Sequence, residues 1–237
     1  MHFDTPLTVP ILAPDKGMKL SVGAQLEGTS LVTADSTKYV ISCFFRIHAG
    51  DGATGYLFAA LSTKVYIQKV LNNTMRVYLR DASGTFLTQW RFTPSVAATT
   101  DWHHIFVYAD GTSANTFGAW DGVANGSDVT SVDGTFNTGV DNWVISGTTA
   151  ATDTIEASIA HLWAGPVDRQ LTMDDVSLFI RDGRPANLGS DGSKPFGVQP
   201  PFYFPGDSSA PGVNLGSAGN FTSSVGTFTD VSESIKV

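Results

Sequence analysis

Between Lys19 and Gly165 apolar and polar side chains alternate with a period of two, in short runs broken by turn-forming residues. In Tyr39-Val40-Ile41-Ser42-Cys43-Phe44-Phe45-Arg46-Ile47-His48 the odd positions are all apolar and the even ones mostly polar. Residues two apart share a face of an extended chain, so such a run is a strand with one buried face. Met75, Val77 and Leu79 alternate with Arg76, Tyr78 and Arg80; Phe86, Trp90 and Phe92 alternate with Leu87, Gln89 and Arg91. Further runs cover 55–61, 64–71, 102–109, 116–120, 143–146 and 155–164, separated by clusters such as Gly50-Asp51-Gly52, Asp110-Gly111-Thr112 and Asp133-Gly134. Short strands at even spacing, with no helical period between them, predict an all-β antiparallel sandwich or barrel.

One segment departs from this pattern. Thr172-Met173-Asp174-Asp175 offers a capping hydroxyl and two carboxylates where a helix start leaves N–H groups unpaired. Met173, Val176, Phe179 and Ile180 then share a face, and Gly183 and Pro185 stop the run, so a helix of two to three turns is predicted over 172–182. Upstream, residues 1–16 carry Pro6, Pro10 and Pro14 among apolar residues and read as an extended arm or an edge strand. The sandwich is predicted over 17–206. Phe202-Tyr203-Phe204 reads as its last strand, and 207–237 as an extended segment packed on the sandwich or on a neighbour.

Composition narrows the function. The formal net charge of −8 and scattered Lys and Arg argue against nucleic acid or an anionic membrane as partner. No apolar run approaches the roughly 18 residues of a membrane span, so no membrane insertion is expected. The single cysteine, Cys43, excludes an internal disulfide. With no basic-then-apolar leader at Met1, synthesis in a cytoplasm without a signal peptide is the expectation. Glutamates are few, Glu27, Glu156 and Glu233, and Glu156 has no carboxylate partner at strand spacing. A retaining glycosidase needs two carboxyl groups roughly 5–5.5 Å apart, so no catalytic residue is assigned and the chain is expected not to be an enzyme. His103 and His104 are adjacent on a strand and point to opposite faces; one is expected to be a hydrogen-bonded core histidine and the other superficial.

Three segments, in order, resemble concanavalin A-like (laminin-G/pentraxin-like) domains. They are Tyr39 to Ile47; Asp101-Trp102-His103-His104-Ile105 through Gly111, with Ala119-Trp120-Asp121-Gly122 after it; and Ile155 to Trp163 followed by Leu171-Thr172. The resemblance implies a two-sheet jelly roll. The stretch Tyr203-Phe204-Pro205-Gly206-Asp207, Asn214-Leu215-Gly216 and Phe221 to Asp230 resembles the endings of laminin-G-like domains in virion proteins of tailed bacteriophages. That implies a non-enzymatic virion structural or adhesion protein, a head decoration or a tail or fibre component, with glycan binding as an added role. A free carbohydrate-binding module is the alternative, and a glycan-cleaving enzyme ranks behind it. The implied partners are other virion proteins, copies of itself as a trimer or lattice-bound oligomer, and cell-surface glycan. For glycan, Trp90, Trp120, Trp143, Tyr66 and Tyr78 are the candidate stacking rings, against the reading that each is buried. Trp102 and Trp163 fit the core. No cofactor is called for. Calcium is the one ion the resemblance carries, with Asp110, Asp121, Asp133 and Asp141 in turns as its carboxylates, against their ordinary use in turns.

Overall fold

The computed structural model describes residues 17–60, 62, 64–98, 101–112, 115–130, 132–139, 141–147, 155–231 and 234–237, with only the backbone of Ser223. The arm read from residues 1–16 lies outside the described residues. In chain order the strands are β1 (Gly17–Leu20), β2 (Gln25–Leu31), β3 (Lys38–Ile47), β4 (Gly55–Ala60), β5 (Val65–Lys69), β6 (Thr74–Arg80), β7 (Phe86–Ser95), β8 (His103–Asp110) and β9 (Phe117–Trp120). They continue with β10 (Val123–Ala124), β11 (Ser127–Asp128), β12 (Asp141–Ile145), β13 (Ala157–Pro166), β14 (Ile180–Arg181), β15 (Arg184–Pro185), β16 (Phe202–Phe204), β17 (Ser223–Val225) and β18 (Phe228–Val231). The first sheet runs β10-β9-β8-β3-β13-β1-β18, with β16 also on β13; the second runs β11-β7-β6-β5-β4-β12-β2-β17. Both are antiparallel, and together they form a two-sheet β-sandwich.

The alternation places the core. From β3, Tyr39, Ile41, Cys43, Phe45 and Ile47 enter the inter-sheet cluster, which also takes Leu57 and Phe58 from β4 and Met75, Val77 and Leu79 from β6. At its centre Trp143 stacks on Phe58 at 5.1 Å and leans on Phe202 at 4.5 Å. Each fully buried side chain of this kind contributes about 1.5–3 kcal/mol of transfer free energy.

The even positions of β3 are not on a wet surface. Val40 and Phe44 join a second cluster on the outer face of the first sheet with Phe106, Tyr108 and Trp163. The chain after β13 roofs that face with Val176, Phe179, Ile180 and Leu188, and the Trp163 indole donates to Gly192 C=O at 2.9 Å. Burial on both faces is why β3 and β8 carry so few charges.

The short helix expected near 172–182 is present in this roof but ends earlier. The helix is a short 3-10 helix, Met173–Leu178, that ends where Phe179 N–H bonds Val176 C=O at 3.0 Å. The residues read as its last turn form the β14–β15 hairpin, because Asp182 and Gly183 take φ of +54° and +71° and turn the chain back. Its start is secured as predicted in kind, the Asp175 carboxylate accepting Thr172 N–H at 2.9 Å while gripping Arg169 at 2.6 and 3.1 Å.

The last part of the chain closes both sheets. β17 pairs with β2 on the second sheet and β18 pairs with β1 on the first. Asn214 holds the approach to them: its amide donates to Pro201 and Gly219 carbonyls, both at 2.9 Å, and its Oδ1 accepts Tyr203 N–H at 2.9 Å. Phe221 enters the inter-sheet core. Among the described residues, no helix is long and apolar enough to cross a membrane.

Candidate functional site

The second sheet carries a distinct cluster on its outer face. In register, Ala59, Tyr66, Tyr78 and Gln89 form one row across β4 to β7, and Tyr56, Gln68, Arg76 and Arg91 form the next. Tyr66 stacks on Tyr78 at 4.4 Å, Tyr56 meets Tyr66 edge-on at 5.6 Å, and Phe86 tilts against Tyr78 at 5.4 Å. Arginines bind these rings from above. Arg80 lies 3.9 Å from the Phe86 centroid and donates to the Tyr66 hydroxyl at 3.2 Å; Arg76 donates to the Tyr78 hydroxyl at 3.1 Å. Tyr66 and Tyr78 are therefore only 6% and 5% exposed, and burial pushes the Tyr66 phenol up to about 12 despite Arg80. The rings do not offer open faces for stacking. What the face presents is a set of hydrogen-bonding heads: the guanidinium groups of Arg76 and Arg91, the amides of Gln68 and Gln89, and the half-buried Tyr56. Beside them is a hollow of about 360 Å³ lined by Thr54, Gln68, Val70, Leu71, Asn72 and Arg76. The Arg76 Nε–H is buried with no partner among the described residues.

The three tryptophans do not belong to this face: of the two readings weighed for them, stacking platform or core, the structure has them buried. Trp143 is 0% exposed in the inter-sheet core. Trp120 is packed between Phe45, Phe92 and His103. Trp90 lies opposite Val77 on the inward side, its indole bonded to Asn125 C=O at 3.1 Å. Phe86 was placed in phase with Trp90 by the alternation. An irregularity in the β6–β7 register between Leu79 and Arg80 puts Phe86 on the outer face and Leu87 in the core.

The histidines separate as their adjacency requires. His104 is 0% exposed under the roof, Nε2 2.9 Å from Ser42 Oγ, and burial pulls it down to about 3. His103 is half-buried on the other side with Nδ1 3.0 Å from Asp121 Oδ2. A third histidine, His48, meets Ser158 Oγ at 2.7 Å, but Ser158 is 0% exposed and has no reach to a substrate. Glu156 is engaged by Lys19 at 2.6 Å, which with burial opposing holds it below its ordinary value.

The four aspartates read for calcium are not brought together. Asp110 accepts from Thr112 N–H and Oγ1 and from the Tyr108 hydroxyl. Asp121 accepts His104 N–H at 2.7 Å, and Asp141 accepts Ser62 Oγ and Asn142 N–H. Asp133 is exposed in its turn. Among the described residues no three His, Cys, Asp or Glu groups converge as metal ligands. The donors present do not fit a calcium cage, which needs six to eight oxygens; three of the four serve as turn or strand-end acceptors.

No family model and no curated protein matches the chain. Solved structures do. A native heptameric SAP-like pentraxin from Limulus polyphemus superposes with a TM-score of 0.57 at 11% identity, covering 92% of this chain and 94% of that one. A structure from Bacteroides ovatus ATCC 8483, described as a "putative carbohydrate binding protein", superposes with a TM-score of 0.63 at 13% identity, covering 94% of this chain and 62% of that one. At these identities the likeness establishes the fold: a lectin-like jelly roll.

Proposed function

We propose that this chain is a non-enzymatic carbohydrate-binding jelly roll that engages glycan on the outer face of β4 to β7. The observation that carries this reading is an asymmetry between the sheets. The first sheet's outer face is sealed by the chain's own roof, whereas the outer cluster of the second is built from that sheet's strands alone and ends in guanidinium and amide heads. Close-packed Tyr66 and Tyr78 hold Arg80 and Arg76 in place, so that the hydrogen-bonding groups are pre-positioned for hydroxyl-rich ligands. The likeness to the Bacteroides ovatus structure supports the same reading.

The test is a glycan array with the wild-type chain and a Gln89→Ala/Arg91→Ala variant, whose side chains are not in the core. The variant is expected to lose about tenfold in affinity, the worth of about 1.4 kcal/mol, with an unchanged melting temperature. Absence of any retained glycan, or equal retention by the variant, sinks the reading. A second reading sets the module on a tailed-phage particle as an adhesion or decoration subunit with oligomeric partners. It is favoured by the resemblance of residues 203–230 to virion-domain endings. Immunogold labelling of purified particles that left them bare would remove it.

A further inference from the structure

A different surface, on the roof of the first sheet, carries a concentration of positive charge that the fold does not use. The β14–β15 ribbon is closed by Asp182 and Gly183 in left-handed conformations, which makes it a tight and rigid turn. It sets Arg181 directly opposite Arg184. Like charges directly opposed across two strands destabilise the ribbon, and neither guanidinium has a carboxylate within ion-pair distance among the described residues. Lys194 adds a third cation. Its backbone N–H bonds Leu188 C=O at 3.1 Å, which fixes the loop beside the hairpin.

The hairpin, the end of the 3-10 helix and this loop border a half-open surface pocket of about 550 Å³, with Arg181, Arg184 and Lys194 exposed along it. Its apolar wall is Leu178, Pro185, Ala186 and Pro195; its polar side holds the three cations and Asn187, and Asp182 is the one carboxylate in the lining. That volume lies within the roughly 300–1,000 Å³ of small-molecule sites. Three cations against one carboxylate is the reverse of the whole chain, whose formal net charge is −8.

We propose that this surface pocket binds a small organic anion, its carboxylate held by Arg181, Arg184 and Lys194 and its apolar body laid on Leu178 and Pro195. Guanidinium forks match a carboxylate with paired hydrogen bonds, and an anion between Arg181 and Arg184 relieves their repulsion. An inorganic oxyanion would leave the apolar wall in water, whereas a carboxylate carrying a hydrocarbon ring covers it. The site is independent of the glycan face and does not rest on that reading.

Benzoate, its neutral counterpart benzyl alcohol, and inorganic phosphate are the probes, followed by amide NMR of Gly183, Ala186 and Asn187 in the full chain. Benzoate is expected to shift these signals and to bind at least about tenfold more tightly than benzyl alcohol. Arg181→Gln/Arg184→Gln is expected to abolish the benzoate response while melting at or above the wild-type temperature, because it removes a like-charge pair. Lys194→Gln, outside the hairpin, should weaken benzoate several-fold. The proposal is overturned by equal binding of benzyl alcohol, by phosphate binding more tightly than benzoate, by an unaltered response in the arginine variant, or by no response at tens of millimolar benzoate.

Discussion

At the scale of single residues the buried polar groups are the most consequential. His104 is held neutral beneath the roof, its pKa pulled from 6.5 to about 3 by burial and by the nearby His161, which burial lowers to about 4. The unfolded chain takes up these protons near 6.5 and the folded one does not, so the stability they represent is complete above 6.5. It is lost as pH falls through the window down to the folded values. Between pH 6.5 and 5 the loss from His104 is on the order of 2 kcal/mol. The urea midpoint should fall over that range, and His104→Asn should flatten the fall; a wild-type midpoint constant between pH 7 and 5 would contradict this. Lys69 is the second such group: 0% exposed, it donates to Gly50 and Ala53 carbonyls and to Asn73 Oδ1 at 2.7, 3.2 and 2.7 Å. Lys69→Met takes a donor from three acceptors, of which Gly50 C=O keeps Ala53 N–H and Asn73 Oδ1 keeps Gly52 N–H, and should cost about 1 kcal/mol, read as a lowered melting temperature. Arg76→Ala, by contrast, uncaps Tyr78 without opening the core and should cost about 1 kcal/mol or less.

At the scale of elements, the β13 strand shows how a single irregularity arranges the roof. Its register against β3 shifts between Ala160 and Trp163, where His161 takes φ of +46°. Before the shift β13 pairs on its other side with β1; after it, with β16. The two sheets approach closely at one edge, where a Cβ on Gly118 of β9 would stand 2.3 Å from the Trp90 indole nitrogen. Gly118→Ala forces that ring out of its slot and should destabilise by about 1–3 kcal/mol, measurable by denaturant titration together with a change in tryptophan fluorescence. Much of this level was legible beforehand. Alternation marked β3, β6 and β8 because period two is a local property, whereas Asp182-Gly183, a turn pair, was hidden behind the helical spacing of Met173, Val176, Phe179 and Ile180. What alternation could not show was which of two faces is wet. Phe86 and Trp90 share a parity in the chain but not in space, since one irregularity in register exchanges the faces. For the same reason the tryptophans read as stacking platforms are core residues, while Arg76, Gln89 and Arg91, which carry the candidate face, look in sequence like ordinary solvated positions of a strand.

At the scale of the whole molecule the jelly roll is completed late. The second sheet gains its edge strand β17 and the first its edge strand β18 only after some 200 residues have been laid down, Ser21 meeting Thr227 across a separation of 206 positions. A chain ending at residue 206 would leave β1 and β2 as open edges and remove Phe221, Val231 and Ile235 from the clusters they fill. Exposed edges template further pairing, so that truncated chain is expected to aggregate on refolding where the full chain stays dispersed, as light scattering would report. The β1–β18 pairing has a mechanical consequence. Gly17 lies across from Val231 and Leu20 across from Phe228, so residues 17 and 231 leave the ladder from the same end. A load pulling those two points apart meets the hydrogen bonds one at a time, like the teeth of a zip, and not all together in shear. A protein that must hold against drag through this pair of attachment points would therefore yield at low force, whereas the same fold loaded through its side-chain faces would not engage that weakness.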